Sequence, residues 1–375
     1  MSRDSTFRDI ISGRRRGPGA ALLRGMLRLA EVPYALAMTW RNRRYYQGKA
    51  TIHRVGVPVV SVGNITMGGT GKTPLVQWIA RWFRKHHVRV AIISRGYRAE
   101  EGGRNDEARE LEQKLPDVPH LQNPDRAAAA KIAVEELETQ LIVLDDGFQH
   151  RRLARDLDIV LLDALEPFGF EHVFPRGMLR EPLTGLRRAD VVILTRADAI
   201  DPSQREAIQR RVQSLAPQSV WAEVRHAAME LISAGGTGEA SGTGGTGKAS
   251  GTRGSGTQQA PLDSLKGHSV AAFCGLGNPA GFRHTIQSCG YNLAGFREFP
   301  DHHCYSRADI EDLAAWADCL GAEAVLCTHK DLVKIGLDRL GSLPLWAIRV
   351  EIDFIAGQDA LESCLLALLA RTALG

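Results

Sequence analysis

Residues 56–83 read GVPVVSVGNITMGGTGKTPLVQWIARWF. Val57, Val59, Val60 and Val62 form an apolar, β-branched run, Gly and Thr crowd the stretch that follows, and Leu75, Trp78, Ile79, Trp82 and Phe83 then recur with helical period. The order is strand, Gly-rich loop, helix. The loop closes on Gly68, Gly69, Thr70, Gly71, Lys72 and Thr73. In such a P-loop, backbone N–H groups and a helix N-terminus face an anion, the lysine neutralises phosphate, and the threonine hydroxyl can ligate Mg²⁺. The general spacing G-x-x-x-x-G-K-[ST] asks for Gly at position 66, where this chain carries Thr66.

Further apolar runs extend the pattern. Residues 88–94 (VRVAIIS) and 140–144 (QLIVL) read as the second and third strands, the latter ending in Asp145, Asp146 and Gly147. An acid at the C-terminal end of a buried strand downstream of a phosphate loop is placed to hold Mg²⁺, directly or through water; the alternative is an Asp opening a turn before Gly147. Residues 158–162 (DIVLL) and 190–194 (DVVIL) add two strands, and helical patterns in between imply parallel pairing with right-handed crossovers. The expected fold class is α/β, with a P-loop and a doubly wound, mostly parallel sheet. Thr195, Arg196, Ala197 and Asp198 stand where GTPases carry the guanine-reading N-K-x-D, but lack its Asn and Lys and read as a strand-end turn.

A chain of 375 residues, 44% of them hydrophobic, has enough apolar side chain for two cores. Its formal net charge of +4 is uneven: residues 1–54 hold 12 Lys and Arg against 3 Asp and Glu, a balance of +9, which leaves −5 for the rest. Residues 20–40 are mostly apolar, but Arg24, Arg28 and Glu31 interrupt them, so neither a signal peptide nor a membrane-spanning run of about 20 residues is written there. Pro33 is expected to kink or divide the segment. A basic, apolar-faced helix of this kind suits the headgroup region of an anionic membrane; equally, it suits a helix packed on the first domain with its arginines solvated. All six cysteines lie in the last third without a C-x-x-C pair, which excludes a zinc ribbon and fits reduced, cytoplasmic thiols.

Residues 234–256 are almost wholly Gly, Ser, Thr and Ala, the composition of a flexible linker. Within them GTGGTGKA (242–249) imitates the phosphate loop, with no strand before it and no helix after it. Beyond it, strands at 269–274, 324–327 and 345–350 and helical patterns at 279–288 and 307–320 describe a second, smaller α/β domain. The expected division is a basic segment 1–45, a nucleotide-binding domain 46–232, a linker or insertion 233–260 and the smaller domain 261–375. FPDHHCY (299–305) offers His302, His303 and Cys304. Three adjacent residues rarely all reach one metal ion, so a surface loop or a catalytic histidine is the better reading.

Several stretches together resemble one family, the tetraacyldisaccharide 4′-kinases of lipid A biosynthesis. They are SVGNITMGGTGKTP (61–74), SRGY (94–97), DDGFQH (145–150), LREP (179–182), GNP (277–279), DH (301–302) and THKD (328–331). Thr66 now has a place, because the family's loop resembles V-G-N-x-[ST]-x-G-G-[ST]-G-K-[ST]. The resemblance implies phosphoryl transfer from ATP, with Mg²⁺, to the 4′-hydroxyl of a tetraacylated glucosamine disaccharide 1-phosphate. It gives Lys72 the β- and γ-phosphates and places Thr73, Asp146 and Glu181 around the metal, with Asp145 beside them. Asp106 falls where the family has the Asp of a G-D-E-P segment, and with His302 of the second domain it forms the implied base dyad, aligned when the domains close.

The lipid acceptor turns the basic N-terminal helix into a membrane dock, implying a cytoplasmic enzyme peripheral to the inner membrane, with no nucleic-acid or protein partner. Two alternatives are a P-loop GTPase acting as a metallochaperone or switch, and a non-enzymatic membrane-binding protein with a decayed nucleotide site. Nucleotide preference and transfer to lipid separate the three.

Overall fold

The computed structural model describes residues 3–96, 111, 112, 114–235, 258–301 and 303–372. They fall into two compact units, Met1–Ala227 with Glu351–Gly375, and Ala228–Val350. The first opens with helices α1 (Arg3–Ile11) and α2 (Pro18–Tyr46). It continues through β1 (Val59–Asn64), α3 (Lys72–Lys85), β2 (Val90–Ser94), β3 (His120–Gln122), α4 (Arg126–Glu135), β4 (Leu141–Asp145), β5 (Leu157–Asp163), β6 (Val191–Thr195), α5 (Pro202–Leu215) and the start of β7 (Val220–Ser233). These strands pair parallel in the order β3, β2, β4, β1, β5, β6, β7.

Every residue of β1, β4, β5 and β6 is buried, which is why they read as continuous apolar runs rather than alternating ones. Val60 and Val62 meet Leu75, Val76 and Ile79 of α3, while Val59, Ala91 and Ile93 meet Ala129, Ala130 and Ala133 of α4. Helices therefore cover both faces, and the doubly wound α/β expectation holds. The five strands read from this part of the sequence are present with shifted ends. β3, at 3 residues, is too short to show a period, and the uneven burial along β7 hid it. Pro33 lies inside α2 without dividing it.

The second unit comprises β8 (Gln258–Ala260), β9 (Ser269–Cys274), α6 (Pro279–Ser288), β10 (Asn292–Glu298), α7 (Arg307–Cys319), β11 (Ala324–Thr328), α8 (His329–Ile335), β12 (Arg339–Leu340) and most of β13 (Leu343–Ala356). β10, β9, β11 and β13 pair parallel in that order, and β12 returns antiparallel on β13. Phe273, Leu313, Val325 and Leu345 form the core on one side of this sheet, and Cys274, Ile286, Leu326 and Ile348 on the other.

The chain then returns to the first unit with α9 (Gln358–Thr372). The sequence pattern runs the smaller domain from 261 through to residue 375. The difference has a physical cause: Leu361, Leu365 and Leu368 share one face of α9 and are buried in the same cluster as Val76 and Ile79. All six cysteines are free thiols. Among the described residues no helix is long and apolar enough to cross a membrane.

Candidate active site

The site is assembled at the C-terminal ends of β1 and β4, where open α/β sheets bind ligands. Parallel register sets Val62 beside Asp145, so the loops leaving the two strands emerge together. Their contact is close: a Cβ on Gly63 would lie 2.6 Å from Phe148 Cβ and 2.7 Å from the Phe148 backbone nitrogen, so only glycine fits there. Gly71 takes the left-handed conformation (φ 81) and caps α3, whose first residue is Lys72, which turns the positive end of the helix toward the loop.

Lys72 Nζ lies 3.3 Å from Asp146 Oδ1. From the other side Arg180 NH1 donates to both carboxylate oxygens of Asp146, at 2.7 and 2.8 Å. Arg180 arrives there because residues 178–180 run against residues 65–67, Met67 N–H donating to the Met178 carbonyl (2.6 Å) and Arg180 N–H to the Ile65 carbonyl (2.8 Å). Arg126, 3% exposed, donates to the Asp146 carbonyl at 2.9 Å. Asp146 itself holds φ 52, in the left-handed region a side chain rarely adopts. Burial alone would raise its pKa, but Lys72 and Arg180 outweigh that and hold the carboxyl far below its usual range.

Asp145 ends β4 and is buried, and Thr73 is the second residue of α3. Two carboxylates and a hydroxyl are hard oxygen donors, the set that suits Mg²⁺. Among the described residues no three or more His, Cys, Asp or Glu gather into a metal cage, and none is needed, because Mg²⁺ in phosphoryl-transfer sites rests on one or two carboxylates plus substrate phosphates.

Glu181 stands apart from this arrangement. It is 1% exposed, Oε1 accepting from Gln149 Nε2 (3.0 Å) and Arg188 NH2 (2.8 Å), and Oε2 from Asn42 Nδ2 (2.9 Å). Asn42 belongs to α2, and α2 makes further contacts to the same region. Tyr34 Oη donates to the Arg180 carbonyl at 3.0 Å, Arg41 NH2 to the Gln149 carbonyl at 2.6 Å, and Val173 N–H donates to Glu31 Oε1 at 2.9 Å. The polar side of α2 thus faces the protein. Its outward side carries Leu22, Met26, Leu29, Leu36 and Trp40, each between 59% and 76% exposed.

Asp106 and His302 lie outside the described residues, as do residues 236–257 of the expected 233–260 linker; the ends of that stretch are structured, Ser233 closing β7 and Gln258–Ala260 forming β8. In the second unit two of the remaining motifs, DH and THKD, come together. Lys330 Nζ is 3.3 Å from Asp301, Lys334 Nζ donates to the His303 carbonyl at 3.1 Å, and buried Asp331 accepts from Gly275 N–H (3.1 Å) and Thr328 Oγ1 (2.7 Å). The sequence motifs do not single out Arg180 or Arg126. Arg180 sits beside Glu181 in LREP, and that adjacency was the signal available.

A phosphate loop on a parallel α/β sheet, with a lysine and an aspartate paired at the helix N-terminus, defines a P-loop nucleotide-binding protein. Residues 23–370 match the family described as tetraacyldisaccharide-1-P 4′-kinase. A tetraacyldisaccharide 4′-kinase of Anaeromyxobacter sp. strain K is 39% identical over 374 residues, covering 95% of this chain and 93% of that one. Its counterpart in Desulfotalea psychrophila is 36% identical over 334 residues, covering 84% and 89%. The crystal structure of "apo"-form LpxK from Aquifex aeolicus in complex with ATP superimposes with a TM-score of 0.66 at 29% identity, over 92% of this chain and 99% of that one. The chain belongs to the tetraacyldisaccharide 4′-kinase family, and is an ATP-dependent kinase of lipid A biosynthesis that phosphorylates a tetraacyldisaccharide 1-phosphate at its 4′-hydroxyl. The GTPase alternative finds no support.

Proposed function

We propose that the ATP triphosphate lies along residues 68–73, with Lys72 on the β- and γ-phosphates and Thr73, Asp145 and Asp146 holding Mg²⁺. Bound there, Mg²⁺ supplies charge neutralisation across the phosphate oxygens. The observation that carries the reading is the convergence of Lys72 and Arg180 on Asp146 at the N-terminus of α3. Because both cations keep Asp146 ionised, no proton has to leave before the carboxylate serves the metal. Lys72 passes from Asp146 to the incoming phosphate, a like-for-like exchange of anions, and Arg180 stays to balance the negative charge that gathers during transfer.

The sequence reading also placed Glu181 in the metal shell. Its carboxylate is enclosed and already accepts from three donors, so we assign it instead to holding α2 and Gln149 against the site. Asp106 as base for the 4′-hydroxyl, helped by His302, rests on motif position in the chain.

We further propose that α2 docks the enzyme on an anionic membrane. A soluble helix normally turns its apolar side inward; α2 turns Glu31, Tyr34, Arg41 and Asn42 inward and leaves Leu29, Leu36 and Trp40 outside. Such a helix, with Arg14, Arg15, Arg16, Arg43 and Arg44 near its ends, matches an interfacial location from which acyl chains need not leave the bilayer. The catalytic part is tested with Lys72→Ala and Asp146→Asn, each expected to lower transfer from Mg-ATP to the lipid by about 10² or more; near-normal transfer by either would remove that residue from the site.

A further inference from the structure

The T-R-A-D turn, which reads nothing in the base-recognition sense, meets the phosphate loop from below. Thr195 Oγ1, wholly buried, donates to the Thr70 carbonyl at 3.0 Å, with the Leu162 carbonyl at 3.2 Å as its other acceptor. Arg196 NH2 donates to the Gly69 carbonyl at 3.2 Å, while its NH1 is tied to Asp163 Oδ2 at 2.6 Å, both side chains less than 10% exposed. Next along the loop, a Cβ on Gly71 would collide with Nε2 and Cε1 of His226. Two consecutive loop carbonyls, of Gly69 and Thr70, are therefore held by hydrogen bonds from residues at the end of β6, and the His226 ring of β7 packs closely under the next residue, Gly71.

In a trans peptide the C=O of one residue and the N–H of the next point in opposite directions. Drawing the Gly69 and Thr70 carbonyls down toward β6 turns the N–H groups of Thr70 and Gly71 away from it, toward the concave side where a phosphate is cradled. Arg196 reaches its carbonyl from a left-handed backbone (φ 53), a conformation costly for a non-glycine residue and the kind of strain that persists where surrounding structure requires it. Its ion pair with Asp163 fixes the guanidinium in two directions at once.

We propose that Thr195 and Arg196, with Asp163 behind Arg196 and His226 under Gly71, are positioning residues that pre-set the N–H groups of the phosphate loop for the nucleotide triphosphate. The proposal rests on residues 68–73 being the nucleotide's phosphate site. Its consequence is separable from chemistry: loosening the brace weakens nucleotide binding, whereas transfer from bound ATP proceeds.

The test uses the full chain with Thr195→Val, Thr195→Ser and Arg196→Gln, measuring Mg-ATP binding by calorimetry and kcat and KM for ATP at saturating lipid. Thr195→Val is expected to raise Kd and KM for ATP about fivefold to tenfold, the effect of one lost loop hydrogen bond, with kcat within about threefold of the parent. Thr195→Ser restores the donor and the affinity, and Arg196→Gln weakens binding at least as much as Thr195→Val. Should Arg196→Gln fail to fold, the Val and Ser pair decides. Unchanged Kd in Thr195→Val, a loss confined to kcat, or a Ser variant no better than Val overturns the proposal. Lys72→Ala separates the two layers: if it weakens ATP binding while Thr195→Val does not, only the brace falls; if it leaves ATP binding intact, the loop assignment falls and the brace with it.

Discussion

Asp146 is the residue on which the charge balance of the site turns. Its carboxylate sits between Lys72 and Arg180, and both pull its pKa down. Arg180→Ala removes one of those pulls and a bidentate hydrogen-bond partner of the carboxylate, and is expected to lower turnover by about 10² or more; near-parental turnover contradicts the pairing. Lys72, Thr73, Asp145 and Asp146 were legible in the sequence because strand, loop and helix are local and each announces itself by composition. Arg180 was not, because its reach to Asp146 depends on residues 178–180 lying against 65–67, a register between segments more than a hundred positions apart. Thr195 and Arg196 were visible as a motif but were compared with base-reading elements, whereas what they contact is the loop backbone.

At the scale of elements, α2 carries the most testable claim. Leu29 is 76% and Leu36 64% exposed, so Leu29→Asp with Leu36→Asp removes no core contact and is expected to leave the thermal midpoint nearly unchanged. If those side chains enter a bilayer, losing about 1.5 kcal/mol or more at each lowers partitioning of the double variant to anionic vesicles by about a hundredfold or more. Equal partitioning of the double variant and the parent would return α2 to a packing role. Sequence alone left these two readings open: the positions of Arg24, Arg28 and Glu31 mark a face, but only the tertiary contacts of Glu31, Tyr34 and Asn42 say that this face points inward. Those contacts also tie α2 to the site through Glu181. Asn42→Ala, removing one of its three donors, is expected to cost on the order of 1 kcal/mol in unfolding free energy.

Across the whole molecule, the chain's last segment stabilises its first unit. Leu361, Leu365 and Leu368 are buried beside Val76 and Ile79, directly behind the helix that begins at Lys72. Burying three leucines is worth about 1.5–3 kcal/mol each, against a total stability of about 5–15 kcal/mol. Truncation after residue 356 is therefore expected to abolish cooperative unfolding and ATP binding together; a truncated chain that still binds ATP would contradict this. Composition could not disclose the return of α9, since an apolar helical face does not name the core it joins.

The fold also sets an acid limit. Burial, reinforced by nearby arginines, lowers His150 to about 4, and burial with Arg196 lowers His226 to about 3. An unfolded histidine takes up its proton near pH 6.5, so the stability these neutral rings confer is full above that value and is lost as pH falls toward about 4 for His150 and about 3 for His226. The drop in thermal midpoint between pH 7 and pH 5 is expected to be smaller in His150→Gln than in the parent; an equal drop would exclude His150 as a contributor.

The most direct test of the central claim is transfer of label from γ-labelled Mg-ATP to a tetraacyldisaccharide 1-phosphate by the purified full chain. Label appearing at the 4′ position, and failing to appear with Lys72→Ala, is the expected result; no label in the lipid, under conditions where the protein demonstrably binds ATP, would contradict it.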